Sequence, residues 1–445
     1  MAKKKKPRVA YDPVQTLRPV MFNTRFEDLT AEIHDLATKG SKPVWDKISP
    51  HDTAQDPEIR KKFYSLAHAG MRQAQARIID IIRSEEPWPD SNIQLLHKLS
   101  DSIAWQMIGN QLCYARRFYK DQKLVDLNHS NFGSIIKAIE HHHQSTPDGF
   151  ALISDLTSFV QVGDLLIADA DGRFKIAEVK EGDKNHEIME FMKFFMKSEC
   201  PRALHYFIQE HGPQSLKQLQ RMLRQATRMA HVTEIFNSGS SQDPDTEHKI
   251  NIPEETIYIE SWDKELNHIL NISDTRGYAL DTVDECLFIA SYSRTSTMAA
   301  GHIMFNTWFD NCGGTPDCPR TRLIDCMWHP LALPIFNRDI ADRHKLDILF
   351  GRKNVCIGLN IPALFKQLAK NGFEVRKATN KEASQMDQKG FPPYRFDGNA
   401  YYIGDGEKEV ALMDGIFLRV MLHSQRPIET IKAVFNATSS MTQPT

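Results

Sequence analysis

The sequence predicts an α/β chain of more than one domain, and three observations carry that expectation. Its 445 residues exceed what a single hydrophobic core usually organises. A composition of 41% hydrophobic and 25% charged residues is the balance of an ordinary globular chain. Along the sequence, apolar residues at helical spacing alternate with short β-type runs bounded by Gly, Asn and Asp.

Composition also excludes several function classes. A net charge of −2 rules out a wholly basic nucleic-acid binder, so any phosphate-binding surface has to be local. No apolar run approaches the roughly 20 residues that span a bilayer, so no membrane role is expected. The opening MAKKKKPR has lysines but no apolar segment after them, which is not a secretory signal. Seven scattered cysteines point to reduced thiols rather than a disulfide framework, and hence to a cytoplasmic protein.

Residues 1–56 are polar and punctuated by proline, and are expected to be partly disordered. Lys3 to Lys6 form a basic tail, either solvated or touching phosphate. A helical segment follows over 57–128. Asp56-Pro57 offers an N-cap and a proline at the first helical position. Ile59, Phe63, Leu66, Met71, Ala74, Ile78 and Ile82 then keep helical spacing up to Pro87. A second long helix is expected over 92–120, with Leu96, Leu99, Ile103 and Leu112 inward and Trp105 and Tyr114 in the core. Its Arg116-Arg117 end suits a helix C-terminus.

Residues 129–275 read as an α/β core. Ser134 caps a helix carrying Ile135, Ile139 and Glu140 that stops before Pro147. Residues 149–153 are a strand, and 163–181 a hairpin turning at Asp171-Gly172, a favoured tight-turn pair. A helix over 185–197, a strand over 203–208, a helix over 214–230, a polar loop over 238–248 and a strand over 256–260 complete it. Residues 276–445 form a C-terminal α/β region of unknown role. It holds a strand over 286–291, a helix opened by Asn360-Ile-Pro362 and stopped at Asn371-Gly372, and strands over 373–376 and 400–403.

The chemistry concentrates in 163–182, GDLLIADADGRFKIAEVKEG. Asp164 begins the first strand of the hairpin, and Glu178 and Lys180, two apart, share a face of the second. Strand, turn and returning strand bring Asp164 and Glu178 together as hard oxygen ligands for Mg²⁺ or Mn²⁺. Lys180 supplies positive charge for a developing phosphorane or orients the attacking water. The Val179 carbonyl is a possible backbone ligand, and Glu140, at the edge of its helix's inward face, a further acidic one.

The order helix, strand, strand with Asp, strand ending Glu-x-Lys, then helix resembles the restriction-endonuclease-like superfamily, the PD-(D/E)xK nucleases. Asp164 matches the motif aspartate, Glu178 the (D/E), Lys180 the lysine, and Glu140 the acidic residue of the first helix. Gly163 stands where the motif has proline. The resemblance covers roughly 130–262 and implies a mixed sheet flanked by helices. It also implies Mg²⁺-dependent cleavage of DNA, in restriction, repair or phage defence, by a homo-oligomer or with a defence-system partner.

Lys217, Arg221, Arg224 and Arg228 follow 4-3-4 spacing and form one cationic row along a helix, beside an apolar stripe of Leu216, Leu219, Leu223, Ala226 and Ala230. Such rows position phosphates without reading sequence. One alternative is a non-catalytic nucleic-acid-binding or assembly protein on the same fold. Another starts from Asp169-Ala-Asp171-Gly172 after an apolar strand, which resembles the first motif of haloacid-dehalogenase-type phosphatases, with Asp169 as nucleophile. Cys312, Cys318, Cys326 and His329 offer four zinc-type ligands, though at looser spacing than a zinc knuckle. His141 to His143 end a helix as cationic caps or metal ligands.

Overall fold

The structure, a computed structural model, describes residues 25–84, 86, 88–123, 127, 131–242, 249–252, 259–388 and 392–440. It divides into two units. The first comprises Asp28–Tyr258 with His329–Arg338, and the second is built mainly of Ile259–Trp328 and Asp339–Thr445. The lysine tail lies outside the described residues.

The chain begins with α1 (Arg25–Lys39), α2 (Lys42–Trp45) and α3 (Pro50–Gln55). Asp56 starts α4 (Pro57–Arg83) as expected: its carboxylate accepts the Glu58 N–H at 2.9 Å and the Ile59 N–H at 3.3 Å. The helix expected over 92–120 is two, α5 (Asp90–Met107) and α6 (Leu112–Phe118). Between them Gly109 and Asn110 have φ of 62° and 57°, a left-handed pair that ends a helix whatever the apolar spacing beyond it. Trp105 is fully buried, as expected. Ser134 does not cap α7 (Phe132–Ser145); it lies inside the first turn, and Asn131 holds the cap position.

After α7 come β1 (Phe150–Ile153), β2 (Leu165–Ala168) and β3 (Phe174–Ala177), an antiparallel meander in that order. The free edge of β1 is closed by side chains. Gln75 of α4 donates to the Ala151 carbonyl at 3.0 Å and accepts the Ile153 N–H at 2.9 Å, and His143 accepts the Ala151 N–H at 3.2 Å.

Three helices follow: α8 (Asp183–Ser198), α9 (Pro201–His211) and α10 (Pro213–Ser238). The strand expected over 203–208 is therefore helix α9. Pro201 occupies its first turn, and Leu204, Phe207, Ile208 and His211 keep helical spacing over a window longer than the apolar run suggested. Phe207 stacks on Phe191 of α8 with centroids 4.0 Å apart, and both pack with Leu219 and Met222 of α10. The buried apolar positions of α10 are Leu219, Met222, Val232 and Ile235, while Ala230 is exposed. The expected 238–248 loop opens as strand β4 (Ser240–Gln242), paired with β5 (Lys249–Asn251); 243–248 lie outside the described residues. So do 256–258 of the strand expected at 256–260, whose Ile259 and Glu260 are not in a strand.

In the second unit α11 (Asp263–Arg276) leads into β6 (Tyr278–Val283) and β7 (Leu287–Tyr292), then α12 (Thr295–Asn311), β8 (Arg320–Arg322), α13 (Leu323–Cys326), α14 (Asp342–Leu349) and β9 (Asn354–Leu359). The sheet order is β6-β7-β9-β8. Sequence reading missed β6 because its turn uses Asp284 and Glu285, both at positive φ, where Gly or Asn is usual. Asn360 caps α15 (Ile361–Lys370) through the Ala363 N–H at 3.0 Å, as expected. A second small sheet follows, built from β10 (Glu374–Lys377), β11 (Arg395–Phe396), β12 (Asn399–Gly404) and β13 (Glu409–Ala411).

The chain is a mixture of helices and small sheets, but the expected mixed sheet is absent among the described residues: every strand pair is antiparallel. Among the described residues no helix is long and apolar enough to cross a membrane.

Candidate active site

Asp164 sits just ahead of β2, the middle strand of the meander. Its N–H donates to the Ala177 carbonyl at 2.8 Å, and its own carbonyl accepts the Ser154 N–H at 2.9 Å. Both neighbouring strands therefore fix it. Asp155 lies in the single turn after β1 (Ser154–Leu156), and Glu178 directly follows β3. All three carboxylates line one cavity of about 210 Å³, together with Lys120 and Lys123 beyond α6 and Gln225 and Met229 of α10.

Gly163 has a φ of 73°, whereas proline is locked near roughly −65°. A Cβ there would also collide with Ile176 and come within 2.9 Å of the Ala177 carbonyl. Glycine at position 163 is thus a requirement of this backbone.

The electrostatics are unbalanced. Burial first, and Glu178 second, push the Asp164 carboxyl up to about 6, against the pull of the Val179 N–H. That N–H donates to Asp164 Oδ2 at 2.6 Å. Asp155 is raised by the same two causes in the same order. Lys180 Nζ donates to Glu178 Oε1 at 2.6 Å, and Gln225 Nε2 reaches the same oxygen at 3.2 Å. Ser154 Oγ and Gln225 Oε1 are buried without a hydrogen-bond partner among the described residues. Carboxylates are the donor type that a hard divalent cation such as Mg²⁺ or Mn²⁺ takes, but the three here line one cavity without all lying within 4.8 Å of one another.

The loop carrying Asp155 is clamped from α5. The buried Lys98 and Asp101 pair at 2.9 Å; Asp101 accepts the Ser158 N–H and hydroxyl, each at 2.6 Å, and Lys98 reaches Ser158 Oγ at 2.8 Å. His97 Nδ1 lies 2.7 Å from the Leu156 carbonyl.

Sequence reading brought Asp164, Glu178 and Lys180 together, with three corrections. Glu178 and Lys180 lie past the end of β3, and the Val179 carbonyl already accepts from Asn131 Nδ2 at 3.2 Å. Glu140 is exposed and does not line the cavity: Ile135 and Ile139 are the buried positions of α7, and the next residue turns outward. Asp155 supplies the third carboxylate instead. Its position in a turn gave no periodic signal; only its place immediately after a strand pointed to it.

Other candidates resolve differently. The Asp169 carboxylate accepts the Asp171 and Arg173 N–H groups at 3.1 and 2.9 Å, so it builds the hairpin turn and β3 returns at once. Burial, then Arg72, lowers His143 to about 4, so it is a neutral acceptor for β1 rather than a cationic cap. Cys312 is exposed while Cys318 and Cys326 are buried, and the Cys318 sulfur accepts the Ile361 N–H at 3.4 Å. These cysteines form no metal cluster among the described residues. The three ligand-type groups that do lie within 4.8 Å of one another are Asp274, His344 and Asp347 in the second unit. Lys353 occupies their midst. Its ammonium pairs with Asp274, donates to His344 Nδ1 at 2.8 Å and to the Leu270 carbonyl at 3.0 Å, and stands 3.7 Å from Asp347.

The cationic row lies on α10, as expected, with Lys217, Arg221 and Arg224 exposed and Arg228 half-buried. Asn237 exchanges two 3.0 Å hydrogen bonds with Phe174, which lays α10 along β3. At about 100° per residue, Arg221 and Arg228 fall within roughly 60° of Gln225 around the helix, whereas Lys217 and Arg224 turn further away. Those two arginines are the members nearest the cavity.

Compared with family models, with curated proteins and with solved structures, the chain shows no match.

Proposed function

We propose that the chain is a metal-dependent nuclease that hydrolyses DNA phosphodiester bonds at the cavity between Asp155, Asp164 and Glu178. The observation that carries this reading is the convergence of three carboxylates, two of them pushed up by burial and by Glu178, with Lys180 held against the third. Buried acids left in mutual repulsion are stable together once a cation joins them.

Asp155, Asp164 and Glu178 would hold Mg²⁺ or Mn²⁺. A metal bound there would polarise the scissile phosphate and lower the pKa of a ligated water. Lys180, kept in register by its bond to Glu178, places an ammonium beside the charge that develops on phosphorus. Arg221 and Arg228 hold the flanking phosphates. The non-catalytic binding alternative keeps the same surface but has no use for the metal.

The test is cleavage of supercoiled and linear DNA in Mg²⁺ or Mn²⁺, with wild type beside Glu178→Ala and Lys180→Ala. Both variants are expected to lose on the order of 10³-fold in rate, and EDTA to stop the wild type, because each change removes a charge used in the transition state. Cleavage that survives both substitutions, or DNA left intact by the wild type, sinks the reading.

A further inference from the structure

We infer that the first unit carries a second binding site, for an uncharged planar heteroaromatic ligand the size of a nucleobase. A cavity of about 300 Å³ lies at the turn end of the β2–β3 hairpin, bordered by Ala168, Gly172 and Phe174. The carboxylates occupy the other end of the same hairpin, about 13 Å away along four strand residues. The two sites are therefore distinct.

Three features define the ligand. The wall is aromatic: Trp45, Phe63, Tyr64, His68 and Phe174 all line it, and Trp45 stands 50% exposed. Aromatic rings around a slot of this size favour a flat π-face over an aliphatic chain. No Lys, Arg, Asp or Glu is among the described residues that line it, so a charged group would find no partner there. The volume stands at the lower end of the range for small-molecule sites and far above the roughly 30 Å³ share of one water.

Two of the lining residues carry hydrogen-bonding groups with capacity to spare. Gln106 lines the cavity, and its side-chain Nε2 is buried with no hydrogen-bond partner among the described residues. His68 Nδ1 lies 2.8 Å from the Asp148 carbonyl, which only accepts, so Nδ1 carries the proton and Nε2 is left as an acceptor. Burial lowers the pKa of this imidazole, which keeps it neutral. One donor and one acceptor suit a base edge that offers a carbonyl or ring nitrogen beside an N–H.

The experiment is calorimetric titration of the full chain with adenosine, guanosine, cytidine and uridine, using wild type, Gln106→Leu, Trp45→Ala and Glu178→Ala. At least one nucleoside is expected to bind saturably below millimolar concentration, and its 5′-monophosphate no more tightly. Gln106→Leu should weaken binding at least tenfold while melting no lower than wild type, because it removes a buried donor that the free protein leaves unpaired. Trp45→Ala, a change at a half-exposed position, should also weaken binding, and Glu178→Ala should leave it intact. Absence of binding by all four nucleosides overturns the inference. So does unchanged affinity in Gln106→Leu, tighter binding of the monophosphate, or loss of binding in Glu178→Ala.

Discussion

In the second unit Asp274 and Asp347 gather around the ammonium of Lys353, whose side chain is 2% exposed; in the first, Asp155, Asp164 and Glu178 gather around a cavity. Both arrangements bring acids together, where like charges repel. The second unit supplies the neutralising cation from its own chain, with a histidine and a backbone carbonyl completing the shell. The first supplies Lys180 to one carboxylate from the side and leaves Asp164 shifted to about 6. A cluster finished by an internal lysine is a structural joint. A cluster whose Asp155 and Asp164 carboxyls are pushed up beside an open cavity leaves room for a cation from outside, which is what the proposed function calls for.

The largest effect on stability is expected where the joint is complete. Lys353→Ala leaves two carboxylates facing one another without their ammonium, and should cost about 3 kcal/mol, the low end for breaking a buried pair because Asp274 is 33% exposed. Zinc should raise the melting temperature of this variant and leave the wild-type joint unaffected, since the vacated position has His344 and two carboxylates around it. A wild-type joint that binds zinc with Lys353 in place would erase the contrast.

How much of this was legible in the sequence differs between strands and helices. The hairpin could be read because Asp171-Gly172 marks the turn, and the returning strand brings Asp164 and Glu178 to the same end although both lie just outside the strands. The exposed side of α7 was harder. Glu140 is one residue beyond buried Ile139, and a 100° error in placing the apolar stripe moves a carboxylate from cavity to solvent. The place of Asp155 just after the first strand pointed to it, but its loop position left its role open, and Gln225 gave no signal at all. Their roles depend on the Lys98–Asp101 clamp and on the packing of α10 along β3, both of which join residues distant in sequence. Tertiary packing also decided α9, whose apolar run reads equally well as a strand until Phe207 meets Phe191.

A smaller effect sharpens the comparison through pH. The folded pKa of Asp164 is raised, so the native state holds that proton more tightly than the unfolded chain does. Stability tied to this group is therefore present at low pH and lost as pH rises from about 4 to about 6. Asp164→Asn should stabilise the metal-free protein at pH 7.5 by on the order of 1 kcal/mol, after discounting for partial exposure, and by nothing at pH 4. Mg²⁺ should offset the same penalty in the wild type and not in the variant. Equal melting differences at the two pH values would show that Asp164 is not strained by its neighbours.

The smallest effect separates cations that hold the fold from cations that hold a substrate. On α10 beside the cavity Arg221 is exposed and Arg228 half-buried, and charges in contact with solvent contribute little to stability. Replacing both with alanine should leave the melting temperature within a degree or so, weaken DNA binding several-fold at low salt, and lower the slope of log affinity against log salt by about 2, one unit for each lost phosphate contact. Lys353→Ala should do the reverse, lowering stability while the salt slope stays constant. If the arginine pair changed stability and left the salt slope unaltered, the row on α10 would belong with Lys353 as part of the fold, and the nucleic-acid path would have to run over Lys120 and Lys123 instead.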